Sequence, residues 1–184
     1  YETLEDYDMA IKDHKKALEL DPTDGAYLTQ LGSIYFEIKN DYSTALNYSI
    51  KFAELSPNDP LSWFNIAVIY NDDLNDSNNA LKYYMKAIKV DSTHVNSYNN
   101  IAFIYHEKIK NNDKALEYFN KAIELNPDSD VAYYNRGDFY NKIEQYDKAI
   151  IDFNKAIELN PEEGQIYYAL TDSYEEKKII KMHY

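Results

Sequence analysis

The sequence predicts an all-α fold, a solenoid of stacked antiparallel helix pairs. Three observations carry that expectation. First, a short ending recurs: residues 15–22 read KKALELDP, residues 120–127 and 154–161 both read NKAIELNP, and looser copies lie at 51–57 and 85–92. Second, a signature precedes each copy, an aromatic or Leu, then a small residue four later and Tyr three after that. It occurs as Leu28/Gly32/Tyr35, Trp63/Ala67/Tyr70, Tyr98/Ala102/Tyr105, Tyr133/Gly137/Tyr140 and Tyr167/Thr171/Tyr174, at steps of 35, 35, 35 and 34 residues. Third, apolar and small residues fall at intervals of three, four and seven on both sides of a short polar break, the spacing of helical faces. A fixed period of this size marks a repeat array.

The elements follow in chain order. Residues 1–24 carry one helix that ends before Pro22, four helix pairs occupy 25–59, 60–94, 95–129 and 130–163, and 164–184 opens a further first helix. In the second helix of most pairs two alanines stand seven apart with an aromatic between: Ala80/Tyr84/Ala87, Ala115/Phe119/Ala122 and Ala149/Phe153/Ala156. Seven residues are two helical turns, so the alanines share a stripe that admits a neighbouring helix while the aromatics fill the gaps. In the first pair Ser49 and Phe52 stand where the aromatic and the Ala are expected, so large and small partners are exchanged. The breaks hold Asn40-Asp41, Asn75-Asp76 and Asn111-Asn112, residue types that tolerate left-handed backbone and cap helix starts. Pro22, Pro57, Pro127 and Pro161, with Ser92 in one copy, stop the second helices. Three pairs are one residue longer than the fourth, and the extra residue is expected in the turn between the helices.

Composition narrows the function. The 184 residues hold 32 acidic against 19 basic side chains, a formal net charge of −13, and no Cys. Disulfides, thiolate nucleophiles and Cys-based metal sites are excluded, and so acidic a chain repels phosphate backbones, so no nucleic-acid partner is expected. No apolar run approaches the roughly 18 residues of a membrane span. His14, His94, His106 and His183 lack the spacing of metal ligands. His14 reads as a packing residue and His106 as a contact candidate. The single Arg, Arg136, is expected to reach toward Asp138 or Glu162. The four glycines form no phosphate loop. No enzyme activity, cofactor or metal is therefore expected, and the expected compartment is the cytoplasm. The chain opens without Met or a leader pattern and reads as a piece of something longer.

These columns of aromatic, Leu-Gly, Tyr, Ala, aromatic, Ala and Pro resemble the tetratricopeptide repeat (TPR) over essentially the whole chain. The resemblance implies a right-handed superhelical solenoid: the second helix of a truncated TPR at 1–24, full repeats at 25–59, 60–94, 95–129 and 130–163, and a further first helix or capping helix at 164–184. A helical hairpin of about this length also describes the pentatricopeptide family, which reads RNA; the Pro-terminated AIELNP ending and the negative charge argue against it.

In the TPR family the first helices line a concave groove that binds peptides. The resemblance assigns Phe64, Asn65, Val68 and Asp72, then Asn99, Asn100, Phe103, His106 and Glu107, then Tyr134, Asn135 and Asp138, and finally Tyr168 and Asp172 to that groove. Asn65, Asn100 and Asn135 recur at the sixth position of successive repeats, an Asn ladder whose amides could pair with the main chain of an extended peptide. The thirty groove positions implied by the resemblance hold seven acids and one Lys, which favours a basic or basic-apolar segment. The clamp by which some TPR domains grip acidic chaperone tails needs Lys at the fifth and Asn at the ninth position, and neither is present here. The implied function is a non-catalytic peptide-binding scaffold. The alternative from another class is a substrate-selecting arm of a larger enzyme such as a glycosyltransferase. The unpaired helices at the two ends, with a 177–184 tail that fits no Ala-column helix, also suggest head-to-tail self-association.

Overall fold

The computed structural model describes the backbone of residues 4–183 and the side chains of residues 6–180. The expectations for His183 and for the last side chains of the tail lie outside the described residues. Among those residues every regular element is helical, without a strand. It divides into two compact units that meet between His94 and Val95. The first holds α1 (Leu4–Leu20), α2 (Gly25–Ser33), α3 (Tyr42–Leu55), α4 (Pro60–Val68) and α5 (Ser77–Val90). The second holds α6 (Val95–Phe103), α7 (Asn112–Leu125), α8 (Asp130–Lys142), α9 (Tyr146–Leu159) and α10 (Gly164–His183). Consecutive elements pair as hairpins, α2 with α3, α4 with α5, α6 with α7 and α8 with α9. The 177–183 stretch continues α10 and starts no second helix.

The extra residue of the three longer pairs does not sit in the turn, contrary to the sequence expectation. It is absorbed as a π-helical turn at the end of the first helix, at Ile34–Ile38, Ile69–Asp73 and Ile104–Lys108. There Lys39, Leu74 and Ile109 donate their N–H groups five residues back, to Ile34, Ile69 and Ile104, at 3.1 Å each. In the shorter pair α8 has no such turn, and Ile143 donates four residues back to Phe139 at 3.2 Å. The turn is the same three residues in every pair. It needs one left-handed residue and one N-cap, and a π turn takes up an insertion without leaving a backbone group unpaired.

The left-handed residues are Asn40 (φ 51°), Asn75 (φ 51°), Lys110 (φ 60°) and Glu144 (φ 61°). The caps follow them: Asp41 accepts from the Thr44 N–H, Asp76 from Asn79 and Asn111 from Lys114. The third break therefore runs one residue earlier than the sequence reading. Lys110 makes the left-handed step, Asn111 caps, and Asn112 already belongs to α7.

The packing is that of the columns. Ala80, Ala87, Ala115, Ala122, Ala149 and Ala156 are fully buried, as are Tyr84, Phe119 and Phe153 between them. In the first unit the Tyr83 ring lies between Trp63 and Tyr70, with centroids 6.0 and 5.4 Å away and near-parallel planes. In the second unit Tyr118 lies between Tyr98 and Tyr105 at 6.2 and 5.5 Å. The Trp63 Nε1–H donates to the Pro57 carbonyl at 2.9 Å and the Tyr167 hydroxyl to the Pro161 carbonyl at 3.1 Å, so the leading aromatic also pins its helix to the preceding turn. His14 packs on Tyr27, as expected for an aromatic column.

The expected exchange in the first hairpin is present. Phe52 reaches Gly25, where an added Cβ would stand 3.0 Å from its ring, and Ser49 rather than an aromatic faces Gly32. Because Ala87 is sealed, Ala87→Phe is expected to lower stability by about 1–3 kcal/mol through overpacking, read from the urea midpoint; an unchanged midpoint would contradict this packing.

Candidate functional site

The candidate surface is taken unit by unit. In the first, Phe64 is half-buried, its ring 5.5 Å from Tyr84 and 5.0 Å from His94, so it serves the core as much as any ligand. Asn65 is exposed, and its amide has no hydrogen-bond partner among the described residues. Val68 is half-buried beside it. Both line a cleft of about 370 Å³ that also involves Gly32, Phe36, Ser49 and Phe52. Asp72 is exposed and accepts from the Asn71 Nδ2 at 2.6 Å. Burial, and then the neighbouring Asp72 charge, pushes the Asp73 carboxyl above its ordinary value. Among the described residues no Lys or Arg pairs with Glu37, Asp72 or Asp73.

The second unit is different. Asn99 is 4% exposed, with its Oδ1 lacking a hydrogen bond. His106 is also buried: Nδ1 lies 2.9 Å from the Asn112 Oδ1 and the ring stands edge-on to Phe139 at 5.1 Å. The expectation that His106 meets a ligand is thus corrected; it is a core contact. The π turn at Ile104–Lys108 rotates the end of its helix, so a face counted on an α-helical wheel no longer points the same way.

Phe103 packs edge-on to Phe119 at 5.3 Å and Tyr134 on Phe153 at 5.8 Å. The Tyr134 hydroxyl accepts from the Gln165 Nε2 at 2.9 Å, and burial raises its pKa. Asn100 and Asn135 are half-buried, Asn100 already engaged within the protein. Tyr168 is 84% exposed.

Two acids of this unit are compensated by a lysine. Lys142 Nζ lies 3.0 Å from the Glu107 Oε1 and 3.1 Å from the Asp138 Oδ2, and its hydrogen bond holds the Glu107 carboxyl below its ordinary value. Asp172 accepts from the Asn141 Nδ2 at 2.9 Å. Among the described residues the acids of the candidate surface without a cation are therefore Glu37, Asp72 and Asp73 in the first unit and Asp172, Glu175 and Glu176 in the second.

Arg136 departs from expectation altogether. It reaches neither Asp138 nor Glu162. Its Nε and Nη2 donate to the two carboxylate oxygens of Asp152 at 2.7 Å each, and Nη1 donates to the Asn120 Oδ1 at 2.7 Å. The Asp152 side chain is 3% exposed. Other hairpins carry Leu31, Ile66 and Ile101 in place of Arg136, and Tyr48, Tyr83 and Tyr118 in place of Asp152. The α8–α9 hairpin has exchanged an aliphatic and a stacked ring for a buried ion pair, a pairing 16 residues apart that local spacing does not reveal.

No group of three His, Cys, Asp or Glu that could hold a metal occurs among the described residues. No helix among them is long and apolar enough to cross a membrane. Two family models, both described as tetratricopeptide repeat, match residues 131–163 in one case and 1–24, 61–94 and 95–129 in the other. The chain belongs to the TPR family.

Solved TPR structures are similar throughout. MamA superposes with a TM-score of 0.70 at 24% identity, over 90% of this chain and 99% of its own. YrrB, described as a TPR protein with an unusual peptide-binding site, gives 0.68 at 23% identity over 88% and 82%. A tetratricopeptide repeat protein from Parabacteroides merdae gives 0.76 at 22% identity over 94% and 68%. At these identities the likeness is one of fold. No curated protein sequence matches the chain.

In this TPR chain the ion pair can be tested directly. Asp152→Ala strands a largely buried guanidinium and is expected to cost about 3 kcal/mol. Arg136→Leu with Asp152→Tyr, which restores the arrangement of the other repeats, should recover most of that loss in thermal unfolding. A single variant as stable as the parent would contradict the assignment.

Proposed function

We propose that the chain is a non-catalytic scaffold that holds an extended peptide of basic, partly apolar character against the exposed face of its first helices. The TPR family is in general an interaction module, and YrrB is described as binding peptide, which supports the coarse reading. The observation that carries the finer one lies in the first unit. The Glu37 carboxylate, which meets no cation among the described residues, shares one cleft with the uncommitted Asn65 amide, over an apolar floor that includes Phe36 and Val68. Asp72 and Asp73 add negative charge at the end of the first helix that carries Asn65.

Each component has a job that its chemistry suits. An amide both donates and accepts, so Asn65 can hold a peptide backbone whatever its sequence, as Asn135 can in the second unit. Unpaired carboxylates steer a cation and reward it on arrival. The acidic surface opposes nucleic acid for the same reason.

A Lys-rich peptide is expected to bind more tightly than its Glu-rich counterpart in fluorescence titrations. The difference should shrink as salt rises, because the screening length falls from about 10 Å at 0.1 M to about 3 Å at 1 M. Asn65→Ala should weaken both the Lys-rich peptide and a neutral one. Preference for the Glu-rich peptide would overturn the reading.

Self-association is a second proposal with its own support. The α10 columns that pack on a partner helix in other hairpins are open here, Tyr167 being 43% exposed and Tyr174 52%, and further along α10 Ile179 is 43% exposed. A second copy docking on this face is expected to make the apparent mass rise with concentration in light scattering, and Tyr174→Glu to abolish the rise. A strict monomer at high concentration would remove this proposal.

A further inference from the structure

We propose that the cleft of the first hairpin is a socket for one aromatic side chain of the bound peptide, a residue flanked in that peptide by Lys or Arg. The proposal rests on the scaffold reading above and specifies what that scaffold grips.

The socket exists because rings are missing. In α5, α7 and α9 a ring fills the gap between the paired helices: Tyr84, Phe119 and Phe153, all fully buried. Each touches a second ring from its first helix, Phe64, Phe103 and Tyr134 respectively. In the first hairpin the residue equivalent to those buried rings is Ser49, and the residues equivalent to their partners are Thr29 and Ser33. Phe52 does not replace the lost ring, because it is turned onto Gly25.

The effect shows at the two equivalent glycines. A Cβ built on Gly137 would lie 2.8 Å from the Phe153 ring, so that site is closed. A Cβ built on Gly32 would meet the Ser49 Oγ at 3.6 Å, the Ala45 carbonyl at 3.8 Å and the Tyr48 Cβ at 3.9 Å, ordinary contact distances, so no ring crowds that site. The result is the cleft of about 370 Å³ in the first unit, within the range of small-ligand pockets.

The lining selects the occupant. The Ser49 hydroxyl donates to the Ala45 carbonyl at 3.0 Å and the Thr29 hydroxyl to the Gly25 carbonyl at 2.8 Å. These hydroxyls are spent on their own helices, and neither asks for a polar ligand. Phe36, Phe52 and Val68 supply apolar surface, and two of the three are rings that can meet an incoming ring edge to face. Exposed at the mouth are the free Asn65 amide and the unpaired Glu37 carboxylate. The amide suits the peptide backbone and the carboxylate suits a cationic neighbour of the buried ring. An aromatic residue beside a Lys or Arg meets all of these groups at once.

The test uses a short Lys/Gly/Ser peptide with one central Phe, and the same peptide with Leu or Ala in its place, titrated into the whole chain. The Phe peptide is expected to bind at least tenfold more tightly than the Ala peptide and severalfold more tightly than the Leu peptide. The double variant Ser49→Phe with Phe52→Ala rebuilds the ring and Ala columns of the other hairpins. It should keep the helical circular dichroism and the affinity for the Ala peptide while losing the preference for Phe. Should it fail to fold, Thr29→Leu at the exposed mouth of the cleft gives the same readout. If both variants keep the preference, or the parent binds the three peptides equally, the socket is overturned and the scaffold stands. If none of the three binds the parent, both fall.

Discussion

The two central hairpins, α4–α5 and α6–α7, depend on a ring of the second helix held between two rings of the first. Tyr83 between Trp63 and Tyr70, and Tyr118 between Tyr98 and Tyr105, are the two full cases. The two first-helix rings are seven residues apart, two helical turns, and so share one stripe. Three of these four ring pairs are near-parallel and the Tyr98–Tyr118 pair is tilted by 36°; such contacts combine a large buried apolar area with favourable ring–ring geometry. The buried alanines on the facing helix then set how closely the helices approach, and the period of the chain follows from repeating that contact. Where the stack is interrupted, something else must hold the helices. In α8–α9 the bidentate Arg136–Asp152 pair does so, with Tyr133 and Tyr140 still 5.8 and 5.9 Å from the guanidinium. Buried charge of this kind is costly unless every donor is met, and Asn120 meets a further one.

The π turns show how a fixed contact tolerates a variable length. The turn between helices has a left-handed residue and a cap that cannot shift without unpairing backbone groups. The stacked rings upstream cannot shift either. The extra residue is therefore stored between them, in the last turn of α2, α4 and α6, where an i to i+5 bond accommodates it. That solution rotates the residues that follow. Within these turns the His106 ring packs on Phe139, and at the equivalent position the Oδ1 of Asn71 is buried.

Charge divides the same way, by local partners rather than by composition. Both units carry acids on their first helices: Lys142 bridges Glu107 and Asp138 in the second, while among the described residues Glu37, Asp72 and Asp73 in the first and Asp172, Glu175 and Glu176 in the second have no cation. A net charge of −13 says only that cationic partners are favoured. The reach of Lys142 removes Glu107 and Asp138 from the available carboxylates.

The sequence alone determined the helical hairpins, their order, the family and the buried columns, because those features repeat and a helix of 3.6 residues per turn converts spacing directly into faces. It also exposed the exchange of Ser49 and Phe52, since a broken pattern is as legible as a kept one. Only the tertiary structure decided where the extra residue goes, that His106 and Asn99 are buried, and that Arg136 pairs with Asp152. Those outcomes turn on partners far apart in the chain and on a rotation of less than one helical turn, and neither leaves a trace in local spacing. The same holds for the cleft beside Gly32: the missing rings can be read from the chain, but that nothing else moves in to fill their space is a property of packing.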